Sequence, residues 1–352
     1  MLLTMLSVKE KVCSYKALND GLNHCNKNVT WKDSVLGFNK NRCANLYNLQ
    51  VELLNGTYKI SRYVTFQVRE PKVRDIVATR LKDRVFQRSL CDNYLTKEVT
   101  KHFIYDNCAC QKRKGTDFAR RRLKVHLLRY YRKHGERGYV LKLDIKNFFG
   151  STPHSVAKEK IGKLIRDDWA RERVFDIIDS FEGDAGIGLG SQVSQLIELA
   201  VLNDIDHLIK ERYHVKHYIR YMDDMLIIHQ DKDYLINLLR VLTEELNKIG
   251  LQISKNKTCI SKLGQPTKFL GFRYYLLPTG KVLMTTLRTV VSRAKRRLRK
   301  HLNNPRMTLK KIYECLMCFI AHIKKGNNHH LILHLYTYFI RRITYGRLKL
   351  QT

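Results

Sequence analysis

The chain has 352 residues, 44% of them hydrophobic, which is enough to bury a large core but more than one core usually organises. Its 66 Lys and Arg against 32 Asp and Glu give a formal charge of +34, far more than solubility requires, so the expected partner is a polyanion, nucleic acid first. A basic membrane-surface protein would need an amphipathic anchor or an apolar span of roughly 20 residues; the sequence has neither, and no membrane is expected.

The opening Met1-Leu2-Leu3-Thr4-Met5-Leu6 lacks a basic flank and is cut short by Lys9-Glu10-Lys11, so no signal peptide is expected. Nine cysteines without a secretory signal do not suit a disulfide framework, and a reducing cytoplasm is the expected location. Residues 1–50 are polar and Asn-rich and read only as an N-terminal extension. Tyr58 to Val68 alternates as a strand does, Glu70 to Arg74 is a turn, and Ile76-Val77-Ala78 is a second strand, together a basic hairpin. Residues 80–133 carry helical spacing and many cations, among them Arg120-Arg121-Arg122, and in so basic a chain these point to a phosphate-facing surface as well as to a solvated helix face.

Tyr139 to Ile145 is a strand, 155–181 is helical, and after the glycine-rich Gly183 to Gly190 a long apolar-periodic helix runs from Ser194 to Arg212. A hairpin comes next, Tyr218 to Tyr221 and Met225 to Ile228 around Asp223-Asp224, then a helix over 231–249 and short strands at Leu251-Gln252-Ile253 and Phe269 to Tyr275. The remainder is basic and helical.

Adjacent carboxylates at the tip of an apolar hairpin raise one another's pKa unless cations neutralise them. An acidic pair in a turn is often plain turn chemistry. Here a second apolar strand, Val140 to Ile145, carries Asp144, and if the strands are neighbours three carboxylates converge. Such a trio suits two divalent ions about 4 Å apart, the arrangement that clamps both oxygens of a phosphoryl transfer, and oxygen ligands favour Mg²⁺.

Over about residues 50–283 the chain resembles reverse transcriptases, and the order of the motifs carries more than any single one. Tyr221-Met222-Asp223-Asp224 resembles the catalytic box, and Leu143 to Phe149 the first catalytic aspartate motif, in which an aromatic five residues on blocks a ribose 2′-hydroxyl; Phe149 holds that position. By itself Phe149 would be an ordinary core aromatic. The resemblance implies an α+β right-hand polymerase fold, with catalysis by Asp144, Asp223, Asp224 and Lys257 and metal ligation by the aspartates with Ile145. Lys257, in Gly250 to Thr258, is similar to the lysine that protonates departing pyrophosphate. Lys72 and Arg74 resemble the fingers segment that grips the triphosphate, Phe269, Leu270 and Gly271 the primer grip, and Tyr221, Gly190 and its neighbours line the nucleotide.

Retroviral and group II intron enzymes have Gln before the glycine at position 190 and Pro after the serine at position 194, whereas Leu189 and Gln195 stand there here. The same replacement is similar to diversity-generating retroelement enzymes, whose copying of adenines is error-prone; antiphage defence reverse transcriptases share the catalytic motifs and are the alternative. An RNA-binding protein on an inactive polymerase scaffold is the rival of another class, disfavoured by the intact aspartates. The implied cofactor is two Mg²⁺, with Mn²⁺ as substitute; the implied partners are an RNA template or structured non-coding RNA, dNTPs, the DNA product and an accessory protein.

The expected organisation is an N-terminal extension (1–50), fingers (51–135 and 156–182), palm (136–155, and 183–283 with the primer grip) and a basic helical thumb (284–352). Within the thumb, Cys315, Cys318 and His322 share one helix face. Zinc would need a fourth ligand from elsewhere, and packed apolar cysteines are the commoner explanation.

Overall fold

A computed structural model describes residues 6–69, 73–304 and 306–348. Lys72 lies outside the described residues. In chain order the elements begin with α1 (Val8–Cys13), α2 (Tyr15–Asn26), α3 (Asp33–Lys40) and α4 (Arg42–Asn55). A hairpin of β1 (Val64–Val68) and β2 (Arg74–Ala78) is next, then α5 (Leu81–Leu90), a π-helical turn (Cys91–Leu95), α6 (Thr96–Thr100) and α7 (Thr116–His134). After these come β3 (Tyr139–Leu143), α8 (Phe148–Ser151), α9 (His154–Gly162), α10 (Asp168–Asp179), α11 (Gln192–Val201), α12 (Asn203–His207) and a second π turn (Leu208–Arg212). The chain continues through β4 (His217–Tyr221), β5 (Asp224–His229), α13 (Lys232–Lys248), β6 (Cys259–Lys262), β7 (Thr267–Phe269), β8 (Phe272–Leu276) and β9 (Val282–Thr286). It closes with α14 (Arg288–Leu302), α15 (Leu309–Ile323) and α16 (His329–Leu348). Two compact units result: residues 1–119, 142–226 and 236–259, and residues 120–141, 227–235 and 260–352.

In the first unit the N-terminal residues, unassigned from sequence, are helices. Ser7 and Glu10 cap α1 reciprocally, the Ser7 hydroxyl accepting from Glu10 N at 3.2 Å and the Glu10 carboxylate from Ser7 N at 2.7 Å. Val12, Leu18, Leu22, Leu46, Leu49 and Leu53 are buried, so α1, α2 and α4 share a core with α5. Gly21 makes the α2–α5 approach possible: a Cβ there would stand 2.9 Å from the Val85 carbonyl. The β1–β2 pair is antiparallel, Val64 opposite Ala78 and Val68 opposite Arg74.

The sheet that carries the acidic residues has the order β4-β5-β3-β6. β3 and β5 are buried along most of their length, as their Val, Ile and Leu content requires of interior strands. Because β5 lies between β4 and β3, the residue that leaves β3, Asp144, stands beside the tip of the β4–β5 hairpin.

In the second unit β7, β8 and β9 form an antiparallel sheet, and α14, α15 and α16 pack around Leu298, Ile312, Leu316, Ile320 and Phe339. Asn327 and Asn328 accept hydrogen bonds from the backbone of Met284 and Thr286, both at 3.0 Å, tying the α15–α16 turn to β9. All nine cysteines are free thiols. No helix among the described residues is long and apolar enough to cross a membrane.

Several sequence-based expectations are corrected. The strand expected from Tyr58 begins only at Val64. The helix expected from Ser194 to Arg212 starts at Gln192, breaks at Leu202 (φ −94°, ψ 5°) and ends in a π turn. The helical 155–181 is two helices, α9 and α10. Leu251-Gln252-Ile253 is no strand; it contributes one antiparallel bridge, Ile253 to Ile145. The strand expected over Phe269 to Tyr275 is interrupted by a tight turn at Leu270-Gly271, both in left-handed conformation (φ 44° and 85°).

Candidate active site

β3 ends where its apolar alternation ends, and backbone bonds to the 252–258 segment fix the path of the chain beyond it. Ser254 N donates to Asp144 O and Lys146 N to Gln252 O, each at 2.8 Å, while Asp144 N donates to the Thr258 hydroxyl at 3.3 Å. Asn147 then takes a left-handed conformation (φ 46°) and starts α8, whose first residues are Phe148, buried, and Phe149, half-buried. Across from it, β4 and β5 are joined by the turn Met222-Asp223, with Met222 at φ 55°, a left-handed residue of the kind two-residue hairpin turns demand.

Asp144 is buried, Asp223 and Asp224 are half-buried, and two of the three carboxylates face a lysine. Lys257 Nζ sits 2.5 Å from Asp144 Oδ1, and Lys142 Nζ 3.1 Å from Asp224 Oδ1. Burial pushes the Asp224 carboxyl up to about 6, with Lys142 pulling against it. Burial, and then the Asp144 charge, raise Asp223, while Lys257 and Arg74 pull it down. The charges of Asp144, Asp223 and Asp224 therefore act on one another, as expected of carboxylates converging on one place. Among the described residues no three acidic, histidine or cysteine side chains stand close enough to hold an ion as they are; two of the three aspartates are engaged by lysines instead. The donor set still fits a divalent cation. Asp224 Oδ1 is buried without a hydrogen bond, its contact with Lys142 being an ion pair outside hydrogen-bond geometry, and the ligands are hard carboxylate oxygens.

Beneath this surface lie residues that sequence reasoning missed. Arg220 and Asp206 are wholly buried and paired by two bonds, Nε to Oδ1 at 2.7 Å and Nη2 to Oδ2 at 2.6 Å. Tyr218 Oη donates to Asp206 Oδ1 at 2.6 Å, and Arg220 also donates to the carbonyls of Met222 (3.2 Å) and Leu199 (3.2 Å). The pair thereby braces the Met222-Asp223 turn from below. Glu198 of α11 is also fully buried. The Thr152 hydroxyl lies 3.0 Å from both the Phe148 carbonyl and Glu198 Oε2. A hydroxyl has one proton, shared here between the Phe148 carbonyl and the Glu198 carboxyl, so Thr152 ties Glu198 to the start of α8. Burial, and the Asp223 charge after it, raise Glu198 well above the ordinary carboxylate range, with the Thr152 hydroxyl pulling against them. Its partners are distant in sequence, and no local pattern announces them.

The residues expected to face a nucleotide sit on three separate stretches of the first unit. Arg74 opens β2, and Tyr221 ends β4 directly before the acidic turn. Leu189 O accepts from Val77 N at 3.1 Å, which ties β2 to the segment before α11. Only glycine fits at Gly190, where a Cβ would come within 2.7 Å of the Val77 carbonyl. Ser191 caps α11 through Ser194 N at 3.0 Å, and Gln195 lies half-buried on the first turn. Ile145 is buried next to Asp144.

Phe269, Leu270 and Gly271 belong to the second unit. Phe269 and Phe272 face each other across the turn, the Leu270 carbonyl accepts from Arg120 at 3.1 Å, and the Arg120 guanidinium lies 4.8 Å from the centre of the Phe272 ring. In the same unit Cys315 packs on the helical core, Cys318 is exposed, and the His322 ring lies 5.0 Å from that of Phe272, so these three do not form a cluster.

Residues 69–274 match the family model described as reverse transcriptase (RNA-dependent DNA polymerase). No curated protein sequence matches the chain. Among solved structures it is similar to a telomerase from Candida albicans in complex with a fragment of telomeric RNA, with a TM-score of 0.53 at 12% identity, over 80% of this chain and 54% of that one. It is also similar to an apo telomerase from Candida tropicalis truncated of its C-terminal domain, with a TM-score of 0.51 at 15% identity, over 68% and 60% of the two chains. The chain thus spans little more than half the length of these telomerases, and at such identity the likeness is one of fold: the α+β right hand of polymerases. Because the family match runs through more than half of the residues and contains β2 and all three aspartates, the chain belongs to the reverse transcriptase (RNA-dependent DNA polymerase) family.

Proposed function

We propose that this chain extends a primer with deoxynucleotides on an RNA template, with Asp144, Asp223 and Asp224 as ligands of two divalent cations, Mg²⁺ or Mn²⁺. The observation that carries the reading is the convergence of these carboxylates at the end of β3 and the tip of the β4–β5 hairpin, with Asp224 Oδ1 buried and lacking a hydrogen bond. When bound, the cations would acidify the primer 3′-hydroxyl and neutralise charge on the transferring phosphate. The chain's own residues do the rest. Lys257, 2.5 Å from Asp144, holds that carboxylate and would hand a proton to departing pyrophosphate. Arg74 brings positive charge to Asp223 and the triphosphate. Phe149, on the α8 turn braced by Thr152 and Glu198, fills the space a 2′-hydroxyl would need.

Leu189 supports a finer reading, a diversity-generating retroelement enzyme of low fidelity. An apolar side chain there cannot hydrogen-bond the nascent pair as a glutamine would, so discrimination rests more on shape. Primer extension on a defined RNA tests the activity. The parent should extend, and the Asp223→Asn, Asp224→Asn double variant should bind RNA but extend nothing; extension by the double variant overturns the assignment. Error counting with Leu189→Gln tests the finer reading, which expects about ten- to a hundredfold fewer misincorporations; an unchanged error rate removes it.

A further inference from the structure

We infer that Lys142 is a positioning residue of this site: an internal cation that faces Asp224, competes with the divalent ion Asp224 would ligate, and so sets how much metal the empty site takes up. The inference rests on the polymerase reading above, because that reading supplies the metal.

Two lysines face the three carboxylates, and they are held differently. Lys257, 2.5 Å from Asp144 Oδ1, has a side chain 46% exposed and leaves the chain at a turn, so it can withdraw into solvent when another cation takes its place. Lys142, 3.1 Å from Asp224 Oδ1, is only 23% exposed, and its stem rises from β3 between Leu141 and Leu143, both wholly buried. A stem fixed in a packed strand leaves its ammonium little room to retreat. Alternation along β3 puts Lys142 on the same face as Asp144, and β5, the neighbour of β3, begins with Asp224. Lys142 therefore belongs to the acidic site itself.

The Lys142–Asp224 pair is incomplete in its own right. Asp224 Oδ1 is buried and makes no hydrogen bond, so Lys142 gives it charge without a directed bond. Buried carboxylate oxygens are ordinarily satisfied. A pair that leaves the oxygen short of its bond is one that a hard divalent cation, bound directly to carboxylate oxygen, can replace. The ammonium nevertheless stays nearby, and a fixed positive charge weakens the binding of any cation that follows. For a proton, a charge at this range changes binding by about ten- to a thousandfold. A divalent ion carries twice the charge and should feel at least as much.

Mn²⁺ alone is the probe, added to the full chain without nucleic acid or nucleotide, with the free ion read by electron paramagnetic resonance. Lys142→Met should bind Mn²⁺ at least about tenfold more tightly than the parent, and Lys142→Arg, which keeps the charge, should bind as the parent does. Lys142→Gln serves where Lys142→Met does not fold. Adding Asp224→Asn to Lys142→Met should abolish the gain, because the carboxylate that Lys142 contests is then gone. A damaged fold would lose metal, so tighter binding separates competition from a merely structural role. Equal or weaker binding by the neutral variants overturns the inference. So does a gain that survives Asp224→Asn, or a Lys142→Arg protein that binds as tightly as Lys142→Met. Failure of the polymerase reading looks different: the parent then extends no primer at any Mg²⁺ concentration, while the Mn²⁺ comparison still decides whether Lys142 competes for Asp224.

Discussion

The two tight hairpins of the molecule solve opposite problems with the same backbone device. At Met222-Asp223 and at Leu270-Gly271 the chain reverses through left-handed residues, at φ 55° in the first and at 44° and 85° in the second. The β4–β5 hairpin must hold two adjacent carboxylates, and the buried Arg220–Asp206 pair, with Arg220 donating to the Met222 carbonyl, stiffens it from within. The other presents bare backbone, and a single arginine, Arg120, holds its Leu270 carbonyl while lying over Phe272. The first invests in charge and the second in shape, so they should respond differently to mutation, pH and metal.

The largest difference should appear on breaking the braces. Arg220→Met leaves Asp206 buried and unpaired, and should destabilise the protein by about 3–5 kcal/mol in denaturant titrations. Replacing Arg220, Asp206 and Tyr218 together with Met, Leu and Phe should recover most of that. If the single and triple variants are equally unstable, the brace is packing and not charge.

pH sharpens the contrast next. Asp224 is raised from 3.8 to about 6 in the fold, so its ionisation works against folding: the penalty is absent below pH 3.8, grows up to about 6 and is complete above. In EDTA, Asp224→Asn should therefore melt several degrees above the parent at pH 7.5, about 1–3 kcal/mol, and level with it at pH 4. Equal melting at both pH values would show that Lys142 already cancels the burial. No pH-dependent gain is expected from changes at Leu270 or Gly271, which carry no titrating group.

Glu198 tests the buried acid beneath α8. Glu198→Gln keeps a hydrogen-bonding partner for Thr152 and should retain parental preference for deoxynucleotides over ribonucleotides; Glu198→Leu loses it and should relax that preference by about tenfold through the Phe149 turn. Single-nucleotide incorporation with dNTP and rNTP pairs measures this. Gln and Leu variants of equal selectivity would make Glu198 mere filling.

The smallest effects belong to the second hairpin. Gly271→Ala should cost about 1 kcal/mol, for its φ of 85° and not for space, since an added Cβ meets only His322, at 3.8 Å. Leu270→Gly should gain up to about 1 kcal/mol by relieving a strained leucine. A steeper loss at Gly271 would mean the turn touches more than its backbone shows.

Legibility in the sequence divides along the same line. Asp144, Asp223 and Asp224 are legible because their chemistry is written locally, as acids at the ends of apolar strands. The braces are not: Arg220 reads as one more cation in a basic chain until the fold buries it against Asp206, and Glu198 as an interruption of an apolar helix. Leu270-Gly271 reads as strand because the apolar alternation passes through it, and only the backbone reveals the reversal. Residues 1–50 hide their helices in Asn and Lys, although Leu46, Leu49 and Leu53 keep helical spacing. Those helices share their core with α5.

One backbone hydrogen bond sets a limit on how this protein can vary. The Val77 amide holds the Leu189 carbonyl, and Gly190 cannot grow a side chain because the Val77 carbonyl is in the way. The strand that carries Arg74 and the loop at Leu189-Gly190 are therefore spliced together, and neither can be exchanged with a relative's version alone. Chimaeras that swap β2 without residues 189–190 should lose accuracy before they lose stability, and second-site revertants of a Leu189 substitution should map to β2, far away in sequence and one hydrogen bond away in space.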